Sequence, residues 1–321
     1  MTSAQQQLNS LLSNGIQLNV KELLQYKQFA GLIDMKPTRT PQARLAGSYL
    51  TKHKGRGMEF DEARHYQAGD DIRAIDWRVT ARTGKTHTKV YREERERPVF
   101  VLCDLSGSMQ FGTQLLLKAV QAAHLSALIS WAAAQRGDKV GALIYSDYSH
   151  KECKPLSRKR AVLTICHELM QCQNEAIQAQ EQAPQANLEQ ALSRLRRLAR
   201  PGSLVYIISD FLQLDERALQ HLTQISRHCE VSAIAITDPL EHTLPNLRHT
   251  QSVNVTDGEQ KQTWTLGDPV LAKHYSASQQ ARWQQVKDSL GRCKTGLGFI
   301  DAGIPLTEQL ERLRRQPVWT R

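Results

Sequence analysis

Asp104, Ser106 and Ser108 occupy alternate positions in the stretch FVLCDLSGSM, residues 100–109, with Gly107 between the two hydroxyls. One carboxylate and two alcohols at the end of an apolar run are hard oxygen donors. Mg2+ prefers such a set, because it takes one or two carboxylates and keeps several waters. A site of this kind either activates a water or captures an acidic group from a partner. Two other apolar runs end the same way: SLVYIISD closes at Asp210 and VSAIAITD at Asp238. Asn187, just before LEQAL, adds an amide oxygen that can also ligate. A lone aspartate at such a place reads as a helix cap or turn residue. That bland reading is preferred for Asp238, which precedes Pro239. The spacing of Asp104, Ser106 and Ser108 sets that group apart, with Asp210 as ligand or outer partner.

The surrounding pattern must bring these oxygens together. From Pro98 the chain alternates strand and helix: VFVLCD, a mostly apolar helix over 113–136, KVGALIYS, helices over 158–173 and 187–200, SLVYIISD, a helix over 215–228, then VSAIAITD. Between the two middle helices, residues 174–186 read as a Gln- and Ala-rich loop. Continuous Val/Ile strands between helices predict an α/β fold, with a doubly wound, mostly parallel sheet covered on both faces. Ligands of such sheets bind beyond the carboxyl ends of the strands. Residues 240–266 predict a hairpin turning at Asp257–Gly258, followed by a helix over 269–290, a short strand LGFIDA and a last helix TEQLERLRR. Ahead of the alternation lie a Gln- and Leu-rich helical segment and a Gly-containing, charged stretch with strand-like alternation. The expected division is a helical segment 1–40, a β-rich subdomain 41–98, the α/β domain 99–240, and an extension 241–321 that completes the sheet.

Of 321 residues, 40% are hydrophobic, enough for a sizeable core, and the formal net charge is +10. That balance favours acidic partners, nucleic acid or an anionic membrane surface. The basic residues are spread along the chain, and no helix-turn-helix, RNA-binding or finger motif accompanies them, so nucleic acid is not expected. Peripheral membrane association is left open. Six cysteines without a CxxC pair argue against a disulfide framework and point to a reducing compartment. No signal peptide is visible, and the longest apolar stretch, about 122–134, is far short of the roughly 20 residues that span a bilayer. A cytoplasmic location is expected. The histidines show no metal-ligand spacing. In GDDIRAIDW, Asp70, Asp71, Arg73, Asp76 and Arg78 suggest a hydrogen-bonded ion network, with Trp77 as a packing anchor.

With these residues in view, the chain resembles two known families. DLSGS is similar to the metal-ion-dependent adhesion site of von Willebrand factor type A domains, and residues 99–238 match such a Rossmann-type domain in order and length. Asp104, Ser106 and Ser108 match its first element and Asp210 its last. The usual Thr between them is missing, and Asn187 is the best substitute. The segment GRGMEFDEARHYQAGDDIRAIDWRVTARTGKTHTKVYREERE, residues 55–96, resembles the signature of the bacterial domain-of-unknown-function family fifty-eight. Members of that family are associated with MoxR-type AAA+ ATPases. The resemblance implies a non-enzymatic, chaperone-like partner of such an ATPase in complex assembly or maturation. Mg2+, or another divalent cation such as Mn2+ or Ca2+, would be held by Asp104, Ser106, Ser108, Asn187 and Asp210, and an exposed acidic residue of a client protein would complete its coordination. The rival expectation is a metal-dependent phosphohydrolase with Asp104 as nucleophile. Such enzymes usually carry a second aspartate two residues on, where this chain has Ser106.

Overall fold

A computed structural model describes residues 3–35, 58–93, 97–178, 186–245, 251–256 and 261–315. The chain divides into two compact units, Met1–Thr40 with Arg97–Arg321, and Pro41–Glu96. It begins with α1 (Ser3–Ser10) and α2 (Val20–Gln25), the latter running into a 3-10 turn at Tyr26–Leu32. A capping box starts α2: Asn19 accepts from the Glu22 amide, and Glu22 accepts from the Asn19 amide.

The smaller unit holds β1 (Met58–His65), α3 (Trp77–Thr83) and β2 (His87–Glu93). Its two strands pair antiparallel, with an irregularity between Phe60 and Glu62. The carboxylates of GDDIRAIDW act locally. Asp71 accepts from the Arg73 amide, Asp76 caps α3 through the amides of Arg78 and Val79, and Asp70 pairs with Arg64 at 2.7 Å. Among the described residues the ion network thus resolves into caps and one pair. Trp77, the expected packing anchor, is 68% exposed.

The larger unit continues with β3 (Val99–Asp104), α4 (Lys118–Arg136), β4 (Lys139–Tyr145), β5 (His150–Ser157), α5 (Arg158–Gln178), α6 (Leu188–Leu198), β6 (Leu204–Ser209), α7 (Glu216–Ser226) and β7 (Glu230–Thr237). After β7 come α8 (Pro239–His242), β8 (Gln251–Thr256), β9 (Lys261–Leu266), α9 (Pro269–Arg292), β10 (Gly296–Asp301) and α10 (Leu306–Arg315). The main sheet has the order β10-β7-β6-β3-β4-β5; all neighbours are parallel except β4 and β5. Side chains alternate between its faces, as a pleat requires. Val99, Val101 and Cys103 of β3 join the cluster under α4 and α5, while Phe100 and Leu102 join the one under α6, α7 and α9. This is the expected doubly wound, mostly parallel α/β architecture.

Several boundaries differ from the sequence reading. The antiparallel edge strand β5 was not expected, because HKECKPLS is polar and contains Pro155. The helix expected from residue 113 begins at Lys118, and α5 runs on to Gln178. Residues 240–242, expected in the hairpin segment 240–266, belong to α8. The hairpin itself is β8 with β9, and its turn at Asp257–Gly258 lies outside the described residues. Among the described residues no helix is long and apolar enough to cross a membrane.

The N-terminal segment is part of the core rather than an appendage. Leu23 and Tyr26 are fully buried, and the Tyr26 hydroxyl meets His124 Nδ1 at 2.9 Å. Gln173 of α5 clamps the segment twice: it accepts from the Leu18 amide and donates to the Ile16 carbonyl, both at 2.8 Å. Gln173→Ala would leave that amide and carbonyl without partners. It is expected to destabilise by about 2 kcal/mol, since an orphaned buried polar group costs roughly 1–3. Urea unfolding would measure the loss, and faster protease cleavage between Ser10 and Asn19 would place it at the clamp.

Candidate functional site

All five parallel strands deliver an aspartate at or just past their carboxyl ends: Asp301 on β10, Asp238 after β7, Asp210 after β6, Asp104 on β3 and Asp147 after β4. The sheet order therefore lines these carboxylates along one rim. Asp104 is 3% exposed. Its Oδ1 accepts from the Ser106 amide at 2.9 Å, and its Oδ2 accepts from the Ser209 hydroxyl at 2.6 Å. Ser106 Oγ and Ser108 Oγ lie 3.3 Å apart. The Gly107 amide donates to Asp147 Oδ2 at 2.6 Å, which ties the loop after β3 to the loop after β4. Burial, and next the negative charge of Asp210, push the Asp104 carboxyl up to about 6. Burial and the same neighbour raise Asp147 too.

Asp210 carries a counter-ion supplied by the chain. Lys118, the first residue of α4 and fully buried, places Nζ 2.9 Å from Asp210 Oδ2 and 2.6 Å from Glu241 Oε1. The other Asp210 oxygen accepts from the Leu212 amide at 3.0 Å, and its carbonyl accepts from Arg282 at 2.7 Å. Between them, Phe211 is buried with φ +54, a conformation that bulky residues rarely adopt. Such backbone strain collects at functional sites. Asp238 is a cap, as the sequence reading preferred: it starts α8. It also accepts from Thr113 through the amide at 2.8 Å and the hydroxyl at 2.6 Å.

The rim thus gathers Asp104, Ser106, Ser108 and Asp210. Asn187 stands at the start of α6, where its oxygen accepts from the Gln190 amide at 2.9 Å as an N-cap. The preceding residue joins the same loops, the Ala186 amide donating to the Asp147 carbonyl at 2.9 Å. Asn187 is exposed, and its oxygen is engaged by its own helix. Lys118 and Asp147 were missed by sequence reasoning. For Lys118 the sequence offers one signal, a lone lysine in a mostly apolar helical stretch; only the structure shows it at the helix start, where a cation is unfavourable unless carboxylates hold it there. Asp147, in a short loop after a strand, carried no such mark.

Chemically, the rim offers hard oxygens and an excess of negative charge over the single buried ammonium. Among the described residues no three His, Cys, Asp or Glu side chains converge to hold a metal. The donors are instead carboxylates mixed with hydroxyls, a set suited to Mg2+ rather than to softer ions. Asp104 has lone pairs left over and no cation among its described partners. The Tyr145 hydroxyl is buried against Asp104 and Ser209, short of a well-formed hydrogen bond. Its phenol is held far above its ordinary range by burial and then by the Asp104 charge.

A model of the protein family of unknown function DUF58 matches residues 62–284. Uncharacterised proteins of Mycobacterium bovis and Mycobacterium tuberculosis are 32% identical over 206 residues, covering 63% of this chain and 62% of theirs. The chain thus spans less than two thirds of the length of these relatives. Among solved structures, the chain is similar to BatB, a conserved hypothetical protein from Bacteroides thetaiotaomicron. That likeness has a TM-score of 0.39 at 13% identity and covers 68% of this chain and 100% of the other. An aerotolerance-related membrane protein from Bacteroides fragilis gives a TM-score of 0.40 at 14% identity, with 68% and 98% covered. A von Willebrand factor type A structure from Catenulispora acidiphila gives 0.36 at 10% identity, with 70% and 43% covered.

Proposed function

The chain belongs to the DUF58 family, whose name assigns no activity, and from the rim of its sheet we propose a divalent-cation-dependent protein-binding module. The observation that carries this reading is the buried Asp104. It shares its loop with two serine hydroxyls and faces the charge of Asp210. Asp104, Ser106 and Ser108 would hold Mg2+, or Mn2+ or Ca2+ in its place, with Asp210 and Asp147 as outer partners. When bound, the ion would offer an open coordination position to a carboxylate from another protein. Ser209 and the Ser106 amide aim the Asp104 carboxylate, and the Gly107–Asp147 bond holds the two serines at the rim.

Leu212 and Phe111 are exposed large apolar residues in the loops that follow Asp210 and Ser108. They would give a docking protein apolar contact beside the charged centre. The partner in this reading is a MoxR-type AAA+ ATPase, and the acidic residue belongs to it or to a client protein undergoing assembly. Free, mostly buried thiols among the described residues suit a cytoplasmic, reducing setting.

The test is a pull-down from native cells with the purified chain in Mg2+, in EDTA, and with Asp104→Ala. Capture of the ATPase or client should fall at least about tenfold in EDTA and in the variant, because each wholly removes a charge-assisted bond. Undiminished capture by Asp104→Ala would remove this reading. Phosphoester hydrolysis that requires Mg2+ and vanishes in Asp104→Ala would support the phosphohydrolase with Asp104 as nucleophile instead.

A further inference from the structure

We propose that Lys118 is a tethered competitor for the divalent cation, shared between Asp210 and Glu241, so that its seat sets how tightly the rim binds metal; this rests on the metal-binding reading above. Both Asp210 oxygens are engaged, Oδ2 by the Lys118 ammonium at 2.9 Å and Oδ1 by the Leu212 amide at 3.0 Å. Asp104 by contrast accepts from the Ser209 hydroxyl and the Ser106 amide, and among the described residues no cation pairs with it. An ion arriving at Asp104 therefore meets Asp210 already neutralised by a fixed positive charge, and like charges in a buried site repel strongly.

Lys118 has a second seat within reach. Glu241 Oε1 lies 2.6 Å from its Nζ, and the Glu241 side chain is 17% exposed, so it has room to draw the ammonium aside. The other Glu241 oxygen accepts from the Asp238 amide at 3.1 Å, and Asp238 grips Thr113 in the loop that leads into α4. The same short network thus holds the helix end that carries Lys118 and the carboxylate that rivals Asp210 for it. With the ammonium on Asp210 the rim binds a cation weakly; with the ammonium on Glu241, Asp210 is released to join Asp104.

The experiment is a titration of the full chain with Mn2+, free ion being read by electron paramagnetic resonance, for wild type, Lys118→Met, Glu241→Gln and the double variant. Lys118→Met should tighten Mn2+ binding by about tenfold or more, since a unit charge a few ångströms away is worth several kcal/mol at an intermediate dielectric. Glu241→Gln leaves the ammonium no seat but Asp210 and should weaken binding by roughly threefold or more. In the double variant the Glu241 change should do little, within about twofold, because the two act through one contact. That non-additivity separates loss of the shared contact from simple loss of a negative charge.

Equal or weaker binding by Lys118→Met, while wild type does bind Mn2+, overturns the competition and leaves the metal site standing. Absence of bound Mn2+ from both proteins overturns the two readings together. If Lys118→Met does not fold, Glu241→Gln decides: unchanged or tighter binding overturns the proposal, and weaker binding supports it, provided Asp301→Asn, which removes a rim charge that does not touch Lys118, leaves affinity within about twofold.

Discussion

Asp104→Asn is expected to stabilise the protein in EDTA near pH 8, by as much as about 3 kcal/mol. The carboxyl is lifted from 3.8 to about 6 by burial and by Asp210, and each unit of difference is worth about 1.4 kcal/mol. Its titration in the folded state above that of the unfolded chain means that the native protein holds the proton more tightly. This group therefore supports folding fully below about pH 4, loses that support as pH rises toward about 6, and contributes a penalty above. The asparagine variant lacks this slope. Its gain over wild type should be greatest at neutral and alkaline pH and vanish at about pH 4, in urea unfolding series at several pH values. Asparagine can still accept from the Ser106 amide and donate to the Ser209 hydroxyl, so the packing of the loop is kept. Mg2+ should reverse the ranking, because a ligand that binds only the native state stabilises it, and only the carboxylate binds it. A variant less stable than wild type at pH 8 would mean that Asp104 is a structural acceptor and not a site held ready for a cation. Destabilisation that only a ligand relieves is the usual signature of a functional site.

The parts of this molecule that were legible in its sequence are those whose physics is local. VFVLCD, KVGALIYS, SLVYIISD and VSAIAITD are almost wholly buried on both faces, so their apolar runs survive in the text of the chain. The Asp104-Ser106-Ser108 spacing is visible because one loop carries it. β5 is illegible because an edge strand needs apolar residues on one face at most, and HKECKPLS is polar and holds Pro155, as edge strands commonly do. Lys118 is hidden because a lysine in a helix normally reaches solvent. Its two carboxylates stand 92 and 123 residues away, where no spacing rule reaches. Asp238 and Thr113, 125 residues apart, are hidden for the same reason. Asn187 shows the reverse case. A residue suited to ligation is equally suited to capping, and the choice between them depends on the fold.

Gly112→Ala is expected to destabilise by about 3 kcal/mol, through the loop that delivers Lys118 to the rim. A methyl group on Gly112 would press into the carbonyl oxygen of Leu116, with the Leu116 carbonyl carbon and the Leu117 Cα each at 2.9 Å. All of these are backbone atoms, which cannot swing aside. Nor can the loop open freely. The Thr113 amide and hydroxyl are held by Asp238, the Leu116 amide by Ala302, the Leu117 amide by Gly15, and the Lys118 amide by Phe111. Relief of the clash must break part of this set, and forcing volume into such a fixed frame commonly costs 1–3 kcal/mol or somewhat more. Gly137→Ala is the control. Its φ of +88 disfavours a side chain, but nothing lies within 4 Å of the added carbon. The loss there should be about 1 kcal/mol and confined to the end of α4. Hydrogen exchange locates the difference: amides 113–118 should lose protection in Gly112→Ala and keep it in Gly137→Ala. Equal stability of the two variants would show that the loop yields easily. Lys118 would then be placed by its carboxylates alone, without help from the backbone that leads to it.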